Sequence, residues 1–298
     1  MNDWIRLSTT GSDTQMWQPR TASRDAWAPE VSKVTSTGLA AARESNRQLA
    51  EIIPSVSDDQ WELPSACAGW RVIDVLAHLG ALAYETVCPP EPDPTWPKVR
   101  ERYHDLRVNE RRGWSHAEVI TEWQDYAPKQ LAVQEAGQEP AVASEPVVVP
   151  GLGTYPRHLM ANITAFNVFC HLRFDVLAPD GPLPFSVTEP TDELVGPAVE
   201  FMLAGLPQMQ GRDLDATVTA PLVLVLTGPG AVTATVLPAD GPAGHLTVLP
   251  GSHGLTRIRS TAVDFIAWST TRKSWRDFCQ ISGEVSAATP FLNCLNII

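Results

Sequence analysis

Residues 61–79 read Trp61-Glu62-Leu63-Pro64-Ser65-Ala66-Cys67-Ala68-Gly69-Trp70-Arg71-Val72-Ile73-Asp74-Val75-Leu76-Ala77-His78-Leu79, and the fold follows from this stretch. Its first half is a turn: Pro64 fixes φ, and Gly69 permits the backbone conformations that other residues avoid. Its second half places Val72, Val75, Leu76 and Leu79 at the three-and-four spacing of an amphipathic helix, predicted from about Arg71 to Glu85. His78 rides on that helix, with Asp74 one turn before it. Further along, Asn167 and His171 stand one turn apart on a second apolar run, and residues four apart share a helix face. His78, Asn167 and His171 therefore read as a three-point site built across two helices of a bundle.

Working outward, the periodicity predicts a helix over 36–56 and a charged helical pattern over 98–136 carrying Val119, Ile120, Trp123 and Leu131. Pro89 to Pro97 is a proline-rich connection, and Pro140 to Pro150 reads as an extended loop. Pro156 opens another helix to about Leu177, with Leu159, Ile163, Phe166, Phe169, Cys170 and Leu172 on one broad face. Ala178-Pro179-Asp180-Gly181-Pro182 is a linker signal. A short helix with Leu194, Ala198, Phe201 and Met202 follows. Strand signals come next at 216–219, 222–226, 232–236 and 244–248, with Gly228-Pro229-Gly230 between the second and third. A closing helix spans Thr261 to Ser269. The expected architecture is an α+β chain of two domains: a polar N-terminal arm or tail over 1–35 containing Trp4, Trp17 and Trp27, a helical bundle over 36–180, and a small α+β domain over 190–298.

The chain has 298 residues, 44% hydrophobic and 19% charged, an ordinary globular balance. Its net charge of −12 and pI of about 5.0 argue against a nucleic-acid partner, which would need a basic footprint. No apolar run is long enough for a membrane span, and Met1 to Lys33 lacks the apolar core of a signal peptide. Five cysteines without a Cys-x-x-Cys pair fit reduced thiols in a cytoplasm and neither a disulfide scaffold nor a thiolate zinc cluster.

The stretch from Trp61 through Leu79 resembles the opening motif of the mycothiol-dependent maleylpyruvate isomerase family. The second half resembles that family's C-terminal domain in Gly228-Pro229-Gly230, in Trp268 to Arg272 at a helix end, and in Gly283-Glu284 followed by Phe291-Leu292-Asn293-Cys294-Leu295-Asn296. The resemblance implies a DinB-like four-helix bundle joined to a sterol-carrier-like α+β domain. It implies mycothiol as thiol cosubstrate, and a divalent metal such as zinc or nickel held by a His on the second helix and a Glu-x-x-x-His pair on the last. His78 and His171 fall on the two His positions, Asn167 stands where the pattern has Glu, and Asp175 lies four residues beyond His171. Arg272 matches a recurrent Arg expected to bind a carboxylate of substrate or thiol.

Two chemistries are open to these residues. With a metal on His78, Asn167 and His171, coordination positions remain for a thiol, whose proton the ion would displace. Asn in place of Glu weakens the hold on the ion while leaving any bound ion more acidifying. Without a metal, either His can act as general base toward a thiol, with Asp74 or Asp175 orienting its ring. Cys67 and Cys170 read as packing, Arg111 and Arg112 as a solvated helix end, and no role falls to His104, His116, His245 or His253. The expected function is mycothiol-dependent S-transfer or thiol exchange on a small molecule, as in natural-product assembly. The alternatives are the cis–trans isomerase itself and a non-catalytic carrier of a small apolar ligand. The expected partners are a small-molecule substrate and a low-molecular-weight thiol, with no nucleic acid and no membrane.

Overall fold

The computed structural model describes residues 37–91, 93–97, 99–241 and 244–297; the arm expected over 1–35 lies outside the described residues. The first half contains helices α1 (Thr37–Ile52), α2 (Asp58–Trp61), α3 (Val72–Val87), α4 (Arg100–Asn109), α5 (His116–Ala136) and α6 (Met160–Cys170). Helix α6 runs on into a π-helical turn, His171–Val176. The long helices α1, α3, α5 and α6 pack as a bundle. Local chemistry sets their ends. Ser57 with Gln60 and Ser115 with Glu118 form capping boxes at the starts of α2 and α5. The Asp74 carboxylate accepts the Arg71 backbone N–H at 2.9 Å and the Arg71 guanidinium at 2.8 and 3.1 Å, placing a negative charge in the first turn of α3. The predicted stripe of α3, Val72, Val75, Leu76 and Leu79, is buried against Leu49, Ile52, Trp61, Val119, Trp123, Val168, Leu172 and Val176.

Three readings of this half change. The pattern over 98–136 is two helices, separated by a turn through Gly113. The expected loop over 140–150 ends in strand β1 (Pro146–Val149), which pairs antiparallel with β2 (Gly153–Pro156). The run Val147-Val148-Val149 supplies β-propensity, and Gly151 at φ +79° supplies the reversal. Pro156 is thus the last residue of a strand, and a 3₁₀ turn, Arg157–Leu159, leads into α6.

Helix α7 (Asp192–Met209) is longer than the short helix expected there, and it packs on both α1 and α6. Helix α8 (Gly211–Asp215) follows. The strand signal at 216–219 is not a strand, because Ala216 N–H and Thr217 N–H donate to Arg212 and Leu214 carbonyls, and the Thr217 hydroxyl donates to Leu214 as well. Those bonds hold the β-branched residue in a helical turn. The sheet comprises β3 (Leu222–Thr227), β4 (Val232–Leu237), β5 (Thr247–Pro250), β6 (Thr256–Thr261) and β7 (Gln280–Ser282), in the order β5-β4-β3-β6-β7. Only the β3–β6 pairing is parallel. Helices α9 (Ala262–Ser269), α10 (Trp275–Phe278) and α11 (Val285–Cys294) complete the half. Strands β6 and β7 gave no sequence signal: the inward residues of β6 are Thr256, Ile258 and Ser260, too polar to mark an alternation.

One contiguous core joins the halves. Leu222, Leu224, Leu226, Val236 and Ile258 of the sheet meet Phe201 and Met202 of α7, Phe265 of α9 and Phe291 of α11, and the same cluster takes in Phe166, Phe169 and Phe174 from the end of the bundle. Phe201 is fully buried, with Tyr155 and Phe166 both 5.4 Å away between ring centroids. Phe201→Ala is expected to cost about 3–5 kcal/mol. Because the core is shared, far- and near-ultraviolet dichroism in a urea titration should shift together as one transition; a variant that loses one half while the other keeps its midpoint would contradict a shared core.

Candidate functional site

The motif loop folds on its own hydrogen bonds. Ser65 N–H donates to the Trp70 carbonyl at 2.9 Å and Trp70 N–H to the Cys67 carbonyl at 3.0 Å, with Gly69 at φ +82° making the reversal. Ala66 N–H donates to the Asp175 carbonyl at 2.9 Å, which fastens the loop to the π turn after α6. The turn aims Trp70 inward, where its ring lies 5.2 Å from that of His78 and stacks on that of His171 at 6.3 Å.

The structure brings His78, Asn167 and His171 together. The two imidazoles meet edge to face at 4.9 Å, and Asn167 Nδ2 lies 3.4 Å from His78 Nε2. Both rings are buried, and His78 Nδ1 has no hydrogen-bond partner. Of the two acids considered for orienting them, Asp74 is spent on capping α3 and does not reach His78. Asp175 does serve His171, with Oδ2 at 2.7 Å from Nδ1. The π turn makes this contact possible: it carries more residues per turn than an α-helix, so residues i and i+4 come closer to eclipsing. With Nδ1 committed to Asp175, Nε2 is the His171 nitrogen left for chemistry.

Arg272 arrives from the other half of the chain. Helix α9 ends in a Schellman turn, with Thr271 N–H on Trp268 O and Arg272 N–H on Ala267 O at 3.0 Å. Thr271 takes the left-handed position at φ +58°, where glycine is usual, at a cost of about 1–2 kcal/mol. The turn throws Arg272 back toward the bundle, where Nε and Nη2 donate to Asp175 Oδ1 and Oδ2 at 2.9 and 2.7 Å. Lys273 and Asp180 form a second link at 3.1 Å.

The charges in the site follow from burial and these pairings. Burial pushes His78 well below the usual histidine range, and the charges of His104, His171 and Arg100 push the same way, so His78 is neutral at physiological pH. Burial opposes ionisation of Asp175, yet the hydrogen bonds from His171 and Arg272 outweigh it and hold the carboxyl well below the usual range. Burial and the Asp175 charge push the Cys67 thiol up to about 12, so it keeps its proton.

Two side chains given no chemical role by the sequence belong to this site. Cys67 Sγ lies 3.7 Å from His171 Nδ1. His104, on the charged helix α4, meets His78 edge to face at 4.4 Å, with its Nδ1 enclosed and unpartnered. Nothing in the apolar periodicity marked His104, since α4 has only Val108 fully buried. Cys170 sits in the shared core. Arg111 is not at a solvated helix end: it is buried and bidentate with Glu122 at 2.6 and 2.7 Å. Arg112 donates to the Gly69 carbonyl at 2.8 Å. His116, His245 and His253 pair with Glu62, Asp215 and the Pro250 carbonyl. Outside Trp70, whose Nε1 donates to Asp105 at 3.0 Å, lies an open cleft of about 530 Å³ with Arg102 and Arg112 on its wall.

Residues 41–173 match the mycothiol maleylpyruvate isomerase N-terminal domain family. Over those residues the bundle half of this chain is similar to that family's domain. The crystal structures of the mycothiol-dependent maleylpyruvate isomerase and of a His-to-Ala mutant of it each match with a TM-score of 0.50 at 15% identity, over 86% of this chain and 95% of the other. At that identity the likeness concerns the fold: a helical N-terminal domain followed by a sheet domain. No curated protein sequence matches. Among the described residues, no helix is long and apolar enough to cross a membrane.

The donor chemistry bears on the metal that the family resemblance implies. Imidazoles suit zinc and nickel. His171 has on Nδ1 the carboxylate that metal-bound histidines commonly carry behind them, and His78 keeps an unpartnered buried nitrogen. A second grouping, Cys67, His171 and Asp175, has donor atoms within 4.8 Å of one another. It fits a cation poorly, because Asp175 is already neutralised by Arg272 and Cys67 is protonated. The imidazoles of His78 and His171 are the side chains here whose chemistry would suit such an ion.

Removing Arg272 leaves a buried carboxylate without its counter-charge, so Arg272→Met should cost about 3–5 kcal/mol at neutral pH. Asp175 is an acid whose folded value is depressed, so its contribution is complete above the unfolded value of about 3.9 and is lost as pH falls through the folded value. The deficit of Arg272→Met should therefore be largest at pH 7 and shrink in acid, as the variant's own Asp175 takes up a proton. Denaturant midpoints between pH 3 and 8 check this; a deficit that grows in acid would contradict the assignment.

Proposed function

We propose that this chain is a thiol-dependent enzyme acting on a small electrophile that carries a carboxylate, with mycothiol as the thiol, and that it catalyses cis–trans isomerisation by reversible thiol addition. What supports the reading is the convergence of His78, Asn167, His171 and the Asp175–Arg272 pair in one buried cluster, in a bundle whose residues 41–173 match this family's N-terminal domain. His171 Nε2, its ring fixed from behind by Asp175, takes the thiol proton. The sulfur then adds to one carbon of a conjugated double bond, and the electron pair moves into the adjacent carbonyl as an enolate. Rotation about the resulting single bond and expulsion of the sulfur restore the alkene in the other geometry, and the proton returns from His171 to the thiol.

Arg272 has two edges. Nε and Nη2 hold Asp175, and Nη1 serves a substrate carboxylate. Asn167 offers an amide to the oxygen on which charge develops. A divalent ion, were one held by His78 and His171, would occupy His171 Nε2 and acidify the thiol in place of that base. Reduced cysteines fit the cytoplasm, where a low-molecular-weight thiol would be met.

S-transfer is the second reading, and Asn167 favours it. A site without the carboxylate of the isomerase pattern keeps positioning and a base, which suffice for exchange on an activated acceptor. A carrier of apolar ligands is disfavoured, because Phe201, Met202, Phe265 and Phe291 fill the space against the sheet.

Incubation with mycothiol and maleylpyruvate should give thiol-dependent cis–trans conversion, and His171→Ala should lower kcat/KM by roughly 10²–10⁴-fold. Arg272→Met should raise KM for the diacid. Accumulation of a stable S-adduct without isomerisation would move the function to transfer; neither product with any conjugated acid would sink the proposal.

A further inference from the structure

Arg100, the first residue of α4, is set apart by its lack of a counter-charge. It is half-buried, its Nε is enclosed without a hydrogen-bond partner, and among the described residues no carboxylate forms an ion pair with it. Arg107, Arg111 and Arg272, which also turn inward, are each paired with an acid: Glu85 at 2.5 Å, Glu122 at 2.6 Å and Asp175 at 2.7 Å. An enclosed charge without such a partner is costly. Enclosure accordingly pulls Arg100 below the usual arginine range, and Glu85 and Tyr103 offset only part of that.

The nearby acids are spent elsewhere. Glu85 accepts from the Tyr103 hydroxyl at 2.8 Å as well as pairing with Arg107, and Asp105 accepts from Trp70 and Arg102. The Arg100 guanidinium lies 5.6 Å from the centre of the Tyr103 ring. The β1–β2 turn packs on its stem, where a Cβ on Gly151 would meet Arg100 Cβ at 3.4 Å. Arg100 and His104 stand four residues apart, on one face of α4. Burial, and then the Arg100 charge, hold His104 down at about 3, and Arg100 also acts against protonation of His78. At neutral pH the His104 end of the cluster therefore carries the single positive charge of Arg100. At the His171 end, the charge of Arg272 is already balanced by Asp175.

We propose that Arg100 is a binding residue for a small carboxylate ligand, the anion supplying the counter-charge that the chain itself leaves out. A carboxylate matches the site on two counts. Its planar pair of oxygens fits a guanidinium edge. Its single charge balances the single charge present, whereas a phosphate dianion would bring an uncompensated charge into the enclosure. The enclosed Nδ1 of His104 is a further polar atom without a partner, on the same face of the same helix. This binding site is separate from the carboxylate contact assigned to Arg272, and it does not depend on the thiol reaction proposed above.

Pyruvate, a monocarboxylate, titrated into the full-length protein at low ionic strength tests this without an activity assay. The His104 imidazole signals in the NMR spectrum should shift to saturation with pyruvate and stay unmoved with the uncharged pyruvamide. Arg100→Met should weaken pyruvate binding by at least about tenfold, and Arg100→Lys, which keeps the charge and loses the fork, by less. Because Arg100→Met removes an unpaired enclosed charge, its urea midpoint without ligand should be no lower than that of the wild type, and pyruvate should raise only the wild-type midpoint. A folded Arg100→Met variant that binds pyruvate as tightly, inorganic phosphate bound as tightly as pyruvate, or no pyruvate binding by the wild type would each overturn the proposal. A variant destabilised without ligand would mark Arg100 as a structural cation and contradict it likewise. Thiol-dependent turnover by the wild type alongside any of those results would show that only this inference has failed.

Discussion

The Asp175 carboxylate is the constraint on which the site depends. Three parts of the chain end on this one residue. Its backbone carbonyl receives Ala66 of the motif loop, its Oδ2 fixes His171, and both its oxygens hold Arg272 from the sheet half. Burying an anion is costly unless it is paired and hydrogen-bonded, and here every interaction that makes the burial tolerable also positions a site residue. Gly181 packs against this junction so closely that a Cβ would meet the Val176 carbonyl carbon at 2.3 Å and the Asp175 carbonyl oxygen at 2.7 Å. The chain reverses there without room for a side chain.

Ion pairs of this kind add little net stability compared with apolar packing, so stability alone does not account for one spanning two halves already joined by a large apolar core. The pairing instead fixes which nitrogen of His171 faces the pocket and keeps a guanidinium edge beside it. The strained Thr271 and the π turn serve the same arrangement: the first delivers Arg272 and the second aligns His171 with Asp175. Departures from regular backbone at both ends of the pair are consistent with strain concentrated at a functional site.

Much of this was legible in the sequence. The stripe Val72, Val75, Leu76, Leu79 announced α3, and the one-turn spacing of Asn167 and His171 placed both beside His78, because a 3.6-residue period fixes faces. Arg272 was expected to bind a carboxylate of substrate or thiol, and the structure pairs it with the carboxylate of Asp175 in the bundle half. Other features were hidden for physical reasons. Strand β6 buries Thr256 and Ser260, so its alternation has no apolar signature. Thr217 looks like a strand residue and is held helical by its own hydroxyl. His104 lies on a helix whose charged residues suggested solvent, and only the tertiary packing of α4 over α3 turns it inward. The commitment of Asp74 to the helix start, and of Asp175 to His171, depended on backbone geometry that spacing alone does not carry.

The central claim is that the cluster of His78, Asn167 and His171 behind Trp70, to which both halves of the chain contribute, is where a thiol is bound for reaction. A crystal structure of the full chain with S-methyl mycothiol, which cannot turn over, tests it most directly. The sulfur should lie in contact with His171 and Asn167, with Asp175 and Arg272 still paired behind them. A sulfur lodged only in the outer cleft beside Arg102 and Arg112, or against the sheet, would contradict it.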